Sequence, residues 1–174
     1  MTPNPDPTVL FKGKFASFVR RENWEYVSRS NLSGIVAIVA LTPENKMLLI
    51  EQYRVPVGKR VIELPAGLAG DHPSDSGEPL ANAARRELFE ETGYEAAEMT
   101  HLSEGASSAG LCDEIITLFR ATGLKKTGAG EGDGTEKITV HEIAVKDVPQ
   151  WLKQKAAEGA TVDLKVFAGL HFLS

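Results

Sequence analysis

The segment ARRELFEETGY, residues 84–94, contains the strongest local signal for structure in this chain. It predicts a helix over residues 80–92, because Pro79 suits the first turn of a helix and Gly93 suits its C-terminal cap. The apolar residues of this stretch recur at helical spacing, so one side of the helix should face a core.

Three glutamates, Glu87, Glu90 and Glu91, fall within two turns of this helix. Glu87 and Glu91 project about 40° apart beside the apolar stripe, where repulsion and partial burial both destabilise the charges. Arg86 can pair with Glu90 but is expected to point away from the other two. A divalent cation such as Mg²⁺, which prefers oxygen ligands, would neutralise the pair. A solvated acidic face is the alternative, and spacing alone does not decide between them.

The composition is that of one globular domain. Its 174 residues, 42% of them hydrophobic, suffice for a sizeable core. The formal net charge of -5 argues against nonspecific binding of nucleic acid. The single cysteine, Cys112, excludes an intramolecular disulfide. Since the first residues do not resemble a signal peptide and no apolar run reaches bilayer-spanning length, we expect a soluble cytoplasmic protein without a nucleic-acid or membrane partner.

The remaining segments predict mostly strands before the helix and a mixture of strands and helices after it. Residues 34–41 and 47–54 predict a strand pair at the centre of the core, and a short strand should end at Pro65. Together the order of elements predicts an α+β fold, an α/β/α sandwich in which helices flank a central mixed β-sheet. The other predicted elements are an antiparallel hairpin or meander at 9–30, strands at 99–102, 115–121 and 137–145, and helices at 148–159 and 163–173.

The pattern around the helix resembles the Nudix box, G-x5-E-x7-R-E-U-x-E-E-x-G-U, in which U is apolar. Glu78, seven further residues and then RELFEETGY at 86–94 reproduce its core. The box glycine should stand six positions before Glu78, where this chain has His72. Gly67 is taken as its counterpart, which lengthens the intervening loop by five residues.

The resemblance extends to the ADP-ribose pyrophosphatase branch of that family, through residues 36–68 (VAIVALTPENKMLLIEQYRVPVGKRVIELPAGL), 109–114 (AGLCDE) and 161–172 (TVDLKVFAGLHF). It implies a Nudix hydrolase domain at 33–174. It also implies that an N-terminal tail and antiparallel β extension, residues 1–32, is exchanged between the subunits of a homodimer.

The activity that the resemblance implies is metal-dependent hydrolysis of the diphosphate bond of nucleoside diphosphate sugars. ADP-ribose, cleaved to AMP and ribose 5-phosphate, is the leading substrate. The alternatives are another nucleotide substrate, such as GDP-mannose, a dinucleoside polyphosphate or NADH, and a nucleotide-binding protein without catalysis.

The cofactor implied by the resemblance is Mg²⁺, with Mn²⁺ as an alternative. Glu78 and Arg86 are expected to brace the helix against the loop through a salt bridge. The implied metal ligands are the carbonyl of Ala66 and the carboxylates of Glu87, Glu90 and Glu91, with Glu90 either a ligand or an orienting group.

The general base implied by the resemblance is a glutamate on a late loop. Glu136 follows the glycine-rich segment GAGEGDG and falls where that residue would stand. Glu114 is the reserve candidate, and Glu142 is a weaker one because it should lie within a strand. The alternative for Glu136 is a solvated acid on a flexible connection.

Three residues are predicted to bind substrate by the same resemblance. Arg54 would contact the diphosphate, Trp24 would stack on the nucleobase, and Arg29 would reach the substrate across the dimer. A surface ion pair is the alternative for Arg54, and a packed dimer contact is the alternative for Trp24. Ala109 stands where the branch usually has a proline associated with ADP-ribose preference, so other nucleoside diphosphate sugars remain open.

Overall fold

The computed structural model describes residues 5–29, 32–70, 77–130 and 137–173. The first three strands form an antiparallel sheet in chain order, which confirms the predicted meander. They are β1 (Thr8–Lys12), β2 (Ser17–Arg21) and β3 (Trp24–Ser28). We call residues 5–29 the N-terminal extension.

Two four-stranded mixed sheets form the body of the protein. Their strands are β4 (Gly34–Ala40), β5 (Lys46–Arg54), β6 (Lys59–Glu63), β7 (Ala66–Ala69), β9 (Glu98–Ala106), β10 (Ile115–Thr122), β12 (Thr139–Ala144) and β13 (Thr161–Val162). The strand orders are β7-β4-β10-β9 and β12-β5-β6-β13, and each sheet contains one parallel pair, β4 with β10 and β6 with β13. The short strands β8 (Tyr94–Glu95) and β11 (Lys125–Lys126) pair with each other.

The predicted pairing of β4 with β5 is wrong. Each strand lies inside a different sheet, and a single bridge between Leu41 and Met47 joins the two segments. β4 and residues 47–50 of β5 form apolar runs that are covered on both faces, and such a run indicates burial without specifying a partner. The strand expected to end at Pro65 ends at Glu63 instead, and β7 begins after the proline.

Three helices cover the sheets: α1 (Leu80–Thr92), α2 (Val148–Ala157) and α3 (Leu164–His171). The bounds of α1 are those predicted, and Gly93 caps it at φ 73, with its N–H donating to Phe89. Pro79 is the N-cap residue rather than the first helical residue. None of these helices, nor any other in the described ranges, is long and apolar enough to cross a membrane.

The two faces of β4 contact different helices, which confirms the predicted sandwich. Val36 and Ile38 join a core cluster that contains Ala84 and Leu88 of α1. Val39, on the other face, joins a second cluster with residues of α2 and α3. The sheets therefore lie between α1 on one side and α2 with α3 on the other.

Glu51 of β5 is a buried carboxylate that connects the second sheet to α2. Arg60 Nε lies 2.5 Å from its Oε1, and His141 Nε2 and Lys155 Nζ lie 2.9 and 3.2 Å from its Oε2. Burial alone would raise the pKa of Glu51, but the bonds from Arg60, His141 and Lys155 outweigh it and lower the pKa to about 2.

We expect Glu51→Gln to lower the free energy of unfolding at pH 7 by on the order of 2–3 kcal/mol. A carboxylate with a depressed pKa stabilises the fold above the pKa of the unfolded chain, 4.5, and this contribution is lost as the pH falls toward 2. Urea unfolding of both proteins between pH 7 and pH 2.5 measures the difference. The exposed Glu104→Gln is the matched control, and a difference that does not shrink in acid would contradict the prediction.

Candidate active site

Glu87 lies directly against the backbone of Gly67, where α1 packs on β7. A Cβ atom added to Gly67 would fall 2.0 Å from the carboxyl carbon of Glu87, which is closer than any nonbonded contact allows. Only a glycine therefore leaves room for this carboxylate in its observed position. This contact supports the choice of Gly67 as the counterpart of the box glycine.

Glu91 reaches the residue before that glycine. Its side chain is buried, 6% exposed, and its Oε2 accepts a hydrogen bond of 2.9 Å from the backbone N–H of Ala66. Two carboxylates from successive turns of α1 thus lie against two successive backbone residues, Ala66 and Gly67. The expected position of Glu87 and Glu91 at the edge of the core is confirmed.

Arg86 connects the helix to the loop, as predicted. Its guanidinium lies 3.5 Å from Glu78 and donates to the carbonyl of Leu68 at 3.0 Å. The expectation that it points away from Glu87 is wrong, because one guanidinium nitrogen donates to Glu87 at 2.9 Å and to Glu90 at 3.1 Å. The long side chain can bend across neighbouring positions of the helix. Burial opposes its charge, but Glu87, Glu90 and Glu78 outweigh burial and raise the pKa of Arg86.

The donor set at this junction fits a hard divalent cation by its chemistry. The predicted ligands are carboxylate oxygens and the carbonyl of Ala66, which are the ligand types that Mg²⁺ prefers. Within the described ranges, no three His, Cys, Asp or Glu side chains converge closely enough to share an ion. Arg86 holds Glu87 and Glu90, and the N–H of Ala66 holds Glu91. The assignment of Glu87, Glu90, Glu91 and Ala66 as metal ligands remains a prediction.

A cavity of about 300 Å³ brings together Trp24 and Ala109, two residues singled out from the sequence. Trp24 is 66% exposed, so its indole is available for contact with a ligand. The cavity lies between the β2–β3 hairpin and the loop that connects β9 to β10. Its lining residues are Arg21, Glu22, Trp24, Tyr26 and Ala109.

Contacts along β3 hold the N-terminal extension against that same loop. The N–H of Val27 donates to the carbonyl of Leu111 at 2.8 Å, and the hydroxyl of Ser28 donates to Asp113 at 2.7 Å. Arg29 Nε lies 2.9 Å from Glu114 Oε1. The predicted substrate-binding arginine is thus paired with the reserve candidate for the general base.

Arg54 forms an ion pair with a buried residue of the neighbouring strand. Its Nε donates to Glu63 Oε2 at 2.8 Å, and Glu63 stands three residues before Ala66. Gln52, two positions earlier on β5, is 2% exposed, and its amide nitrogen has no hydrogen-bond partner in the described part of the chain. Gln52 was not among the predicted site residues, although a polar residue between an apolar run and Arg54 is a signal that could have identified it.

The structure describes two of the three candidates for the general base, Glu114 and Glu142. Glu136 lies outside the described residues. Glu142 lies in β12, within a strand as predicted, and accepts a hydrogen bond of 2.6 Å from the hydroxyl of Tyr94. That bond is the main reason why the pKa of Glu142 is lowered, while burial and the same bond raise the pKa of Tyr94 to about 12. The carboxylate of Glu142 is therefore occupied by the hydrogen bond from Tyr94 in this structure.

Comparison with known proteins gives a consistent family match. The model of the NUDIX domain matches residues 32–164. A methanol dehydrogenase activator of Bacillus methanolicus is 42% identical over 123 residues, which cover 70% of this chain and 64% of that protein. An ADP-ribose pyrophosphatase of Bacillus subtilis (strain 168) is 36% identical over 115 residues, which cover 66% of this chain and 60% of that protein. The chain thus spans less than two thirds of the length of these relatives.

A solved structure shares the fold. The crystal structure of an ADP compounds hydrolase superposes with a TM-score of 0.62, at 20% identity, and the match covers 86% of each chain. At this level of identity the similarity establishes the architecture of sheets and helices.

Proposed function

The chain belongs to the Nudix family, and on that premise we propose that it hydrolyses the diphosphate bond of nucleoside diphosphate sugars with a divalent cation. ADP-ribose, cleaved to AMP and ribose 5-phosphate, is the leading substrate. The observation that carries this proposal is the placement of Glu87 and Glu91 against Gly67 and Ala66, where α1 meets β7.

Carboxylates at this junction would serve the reaction by holding a cation. When bound, Mg²⁺, or Mn²⁺ as the alternative, would draw negative charge from the diphosphate oxygens. Glu87 and Glu91 would be its main ligands, with the carbonyl of Ala66, and Glu90 would be a ligand or orient the others. Arg86 keeps the helix and the loop in register through Glu78 and the carbonyl of Leu68.

Substrate orientation in this proposal depends on the N-terminal extension and β5. Trp24 would stack on the nucleobase, since base–aromatic stacking contributes about 1–3 kcal/mol. Arg54 would contact the diphosphate, because a guanidinium matches two phosphate oxygens at once. Arg29 would add a second guanidinium. Both arginines are paired with carboxylates, Glu63 and Glu114, which hold them in place before substrate binds.

Glu136 is the proposed general base. We expect Glu136→Gln to lower kcat by about a hundredfold or more while KM changes little, because a base acts on the transition state rather than on binding. Steady-state kinetics with ADP-ribose measures both constants, and Glu114→Gln is the matched comparison. An unchanged kcat in Glu136→Gln, with a reduced kcat in Glu114→Gln, would transfer the role to Glu114.

The substrate is tested by a panel of ADP-ribose, GDP-mannose, NADH and a dinucleoside polyphosphate, incubated with Mg²⁺ and scored by released AMP or GMP. We expect ADP-ribose to be cleaved fastest. GDP-mannose is the second candidate, because Ala109, with no proline ring, faces the cavity that would receive the base. Nucleotide binding without turnover of any substrate would favour the non-catalytic alternative, a protein that regulates another enzyme.

The proposal also includes a cytoplasmic location, because the free thiol of Cys112 suits a reducing compartment. It further includes a homodimer formed through residues 1–32. The N-terminal extension exposes large apolar side chains, with Val9, Phe11 and Phe15 at 55%, 68% and 77%. Several exposed large apolar side chains in one short segment are consistent with a surface that a partner covers. Analytical ultracentrifugation should find a dimer, and a monomer at micromolar concentration would contradict this part of the proposal.

A further inference from the structure

The last turn of α1 carries two of the proposed cation ligands, Glu90 and Glu91. The helix ends at Thr92, one residue after Glu91. Helix ends fray, because the carbonyls of the last turn lack partners within the helix. A ligand in this turn therefore keeps its position only if another part of the chain holds the turn.

Residues 127–130, which we call the clamp segment, run across this end of the helix. The N–H groups of Thr127 and Gly128 donate to the carbonyl of Gly93 at 2.9 and 3.0 Å. The segment directly follows β11, and β11 pairs with β8, the strand that begins after Gly93. Residues 125–128 therefore pair with the three residues that follow α1.

Glycines allow the clamp segment to approach the backbone of the helix. A Cβ atom at Gly130 would fall 2.2 Å from the carbonyl carbon of Thr92 and 2.5 Å from its oxygen. Gly130 also has a φ of 72°, which side chains disfavour. A Cβ atom at Gly93 would fall 2.2 Å from the carbonyl oxygen of Gly128. Because these neighbours are backbone atoms, they cannot move aside as a flexible side chain can.

Phe89 gives the clamp segment a second contact on the same turn. Its ring faces Gly128, where an added Cβ atom would fall 3.0 Å from one ring carbon. Phe89 is 41% exposed, so its ring packs on the segment at the surface of the protein. The clamp segment thus contacts the turn at Phe89 and at Thr92, the residues on either side of Glu90 and Glu91.

We infer that the clamp segment holds the last turn of α1 and thereby positions Glu90 and Glu91 for the divalent cation. Gly130 is the main positioning residue, and the inference rests on the proposed function. The carboxylate of Glu91 accepts from the N–H of Ala66, and the backbone of the next residue packs on Gly130. A shift of this turn would move both carboxylates relative to the carbonyl of Ala66, so the cation would bind more weakly.

Gly130→Ala tests this inference, because the new methyl group must displace the backbone at Thr92. Binding of Mn²⁺ in the presence of AMP, followed by electron paramagnetic resonance, should weaken by about tenfold. At a fixed Mg²⁺ concentration, kcat/KM for ADP-ribose should fall by about tenfold to a hundredfold, and more Mg²⁺ should restore part of it.

Gly159→Ala is the matched control for backbone strain. Gly159 has a φ of 96°, and an added Cβ atom there meets nothing within 4 Å. Its affinity for Mn²⁺ and its Mg²⁺ requirement should equal those of the wild type. If Gly130→Ala melted at a lower temperature but bound Mn²⁺ as tightly as Gly159→Ala, the segment would have a merely structural role and the inference would be overturned.

Gly128→Val is a second variant for the case in which Gly130→Ala does not fold. The φ of Gly128 lies outside the left-handed region, and the neighbour that valine would push is the ring of Phe89, which can move. Mn²⁺ should bind severalfold more weakly to Gly128→Val. Ala129→Val, which places the same side chain at an exposed neighbouring position, should match the wild type. Equal affinity of these two variants would also overturn the inference.

Affinity and turnover together separate this inference from the proposed function. If the wild type cleaves no substrate but binds Mn²⁺ more tightly than Gly130→Ala and as tightly as Gly159→Ala, the positioning role is supported while the proposed hydrolysis fails. If the wild type cleaves ADP-ribose and Gly130→Ala needs no more Mg²⁺ than Gly159→Ala, the positioning role is overturned and the hydrolysis stands. A wild type that binds no Mn²⁺ would overturn the positioning role together with the metal assignment.

Discussion

Glu91→Gln should abolish nearly all turnover of ADP-ribose while the fold remains intact. The amide oxygen of glutamine can still accept the hydrogen bond from the N–H of Ala66, so the packing of α1 on β7 is preserved. The negative charge is lost, and with it the main attraction for a cation. Second-sphere changes at metal sites cost about 10–100-fold in activity, so loss of a direct ligand should exceed about a hundredfold.

Steady-state rates and a thermal melt of the same preparation measure the two parts of this expectation. Glu98→Gln, which neutralises an exposed glutamate on β9, should retain full activity and is the control. Activity like that of the wild type in Glu91→Gln, with saturating Mg²⁺, would rule out the metal assignment.

Gly67→Ala should produce the second large loss. The new methyl group would lie 2.0 Å from the carboxyl carbon of Glu87, so Glu87 or the β7 backbone must move. A displacement of about 1 Å in a group that positions substrate can cost about a hundredfold in rate. We therefore expect kcat/KM to fall by about that factor, with a smaller change in stability because Glu87 can swing outward.

Gly105→Ala is the matched control for this change. A Cβ atom at Gly105 in β9 meets nothing within 4 Å, so its activity and melting temperature should equal those of the wild type. Crystal structures of both variants would locate Glu87. If Gly67→Ala displaced Glu87 without lowering the rate, Glu87 would not be a ligand of the catalytic ion.

Prediction from sequence succeeded where the information was local. The bounds of α1 follow from Pro79 and Gly93, which act on the adjacent turn of the helix. The pairing of β4 with β5 failed because a strand buried on both faces carries no polar alternation to indicate its neighbour. Strand partners are determined by long-range packing, which the composition of a single segment does not contain.

Some residues of the candidate site were identified from the sequence, and others were recognised only in the folded structure. The resemblance implied that Glu87, Glu91 and the carbonyl of Ala66 share a metal ion, which remains a prediction, and the structure places both carboxylates against the backbone of Ala66 and Gly67. The position of Gln52 after an apolar run marks it as a polar residue near the core, but its unsatisfied amide nitrogen is revealed only by the folded arrangement.

Binding of Mn²⁺ in the presence of AMP, followed by electron paramagnetic resonance, tests the central claim most directly. The claim is that the carboxylates of α1 and the carbonyl of Ala66 hold the ion that the hydrolysis needs. The wild type should bind Mn²⁺, and Glu91→Gln should bind it at least about tenfold more weakly, while Glu98→Gln should match the wild type. Equal affinity for Mn²⁺ in the wild type and Glu91→Gln would contradict the account.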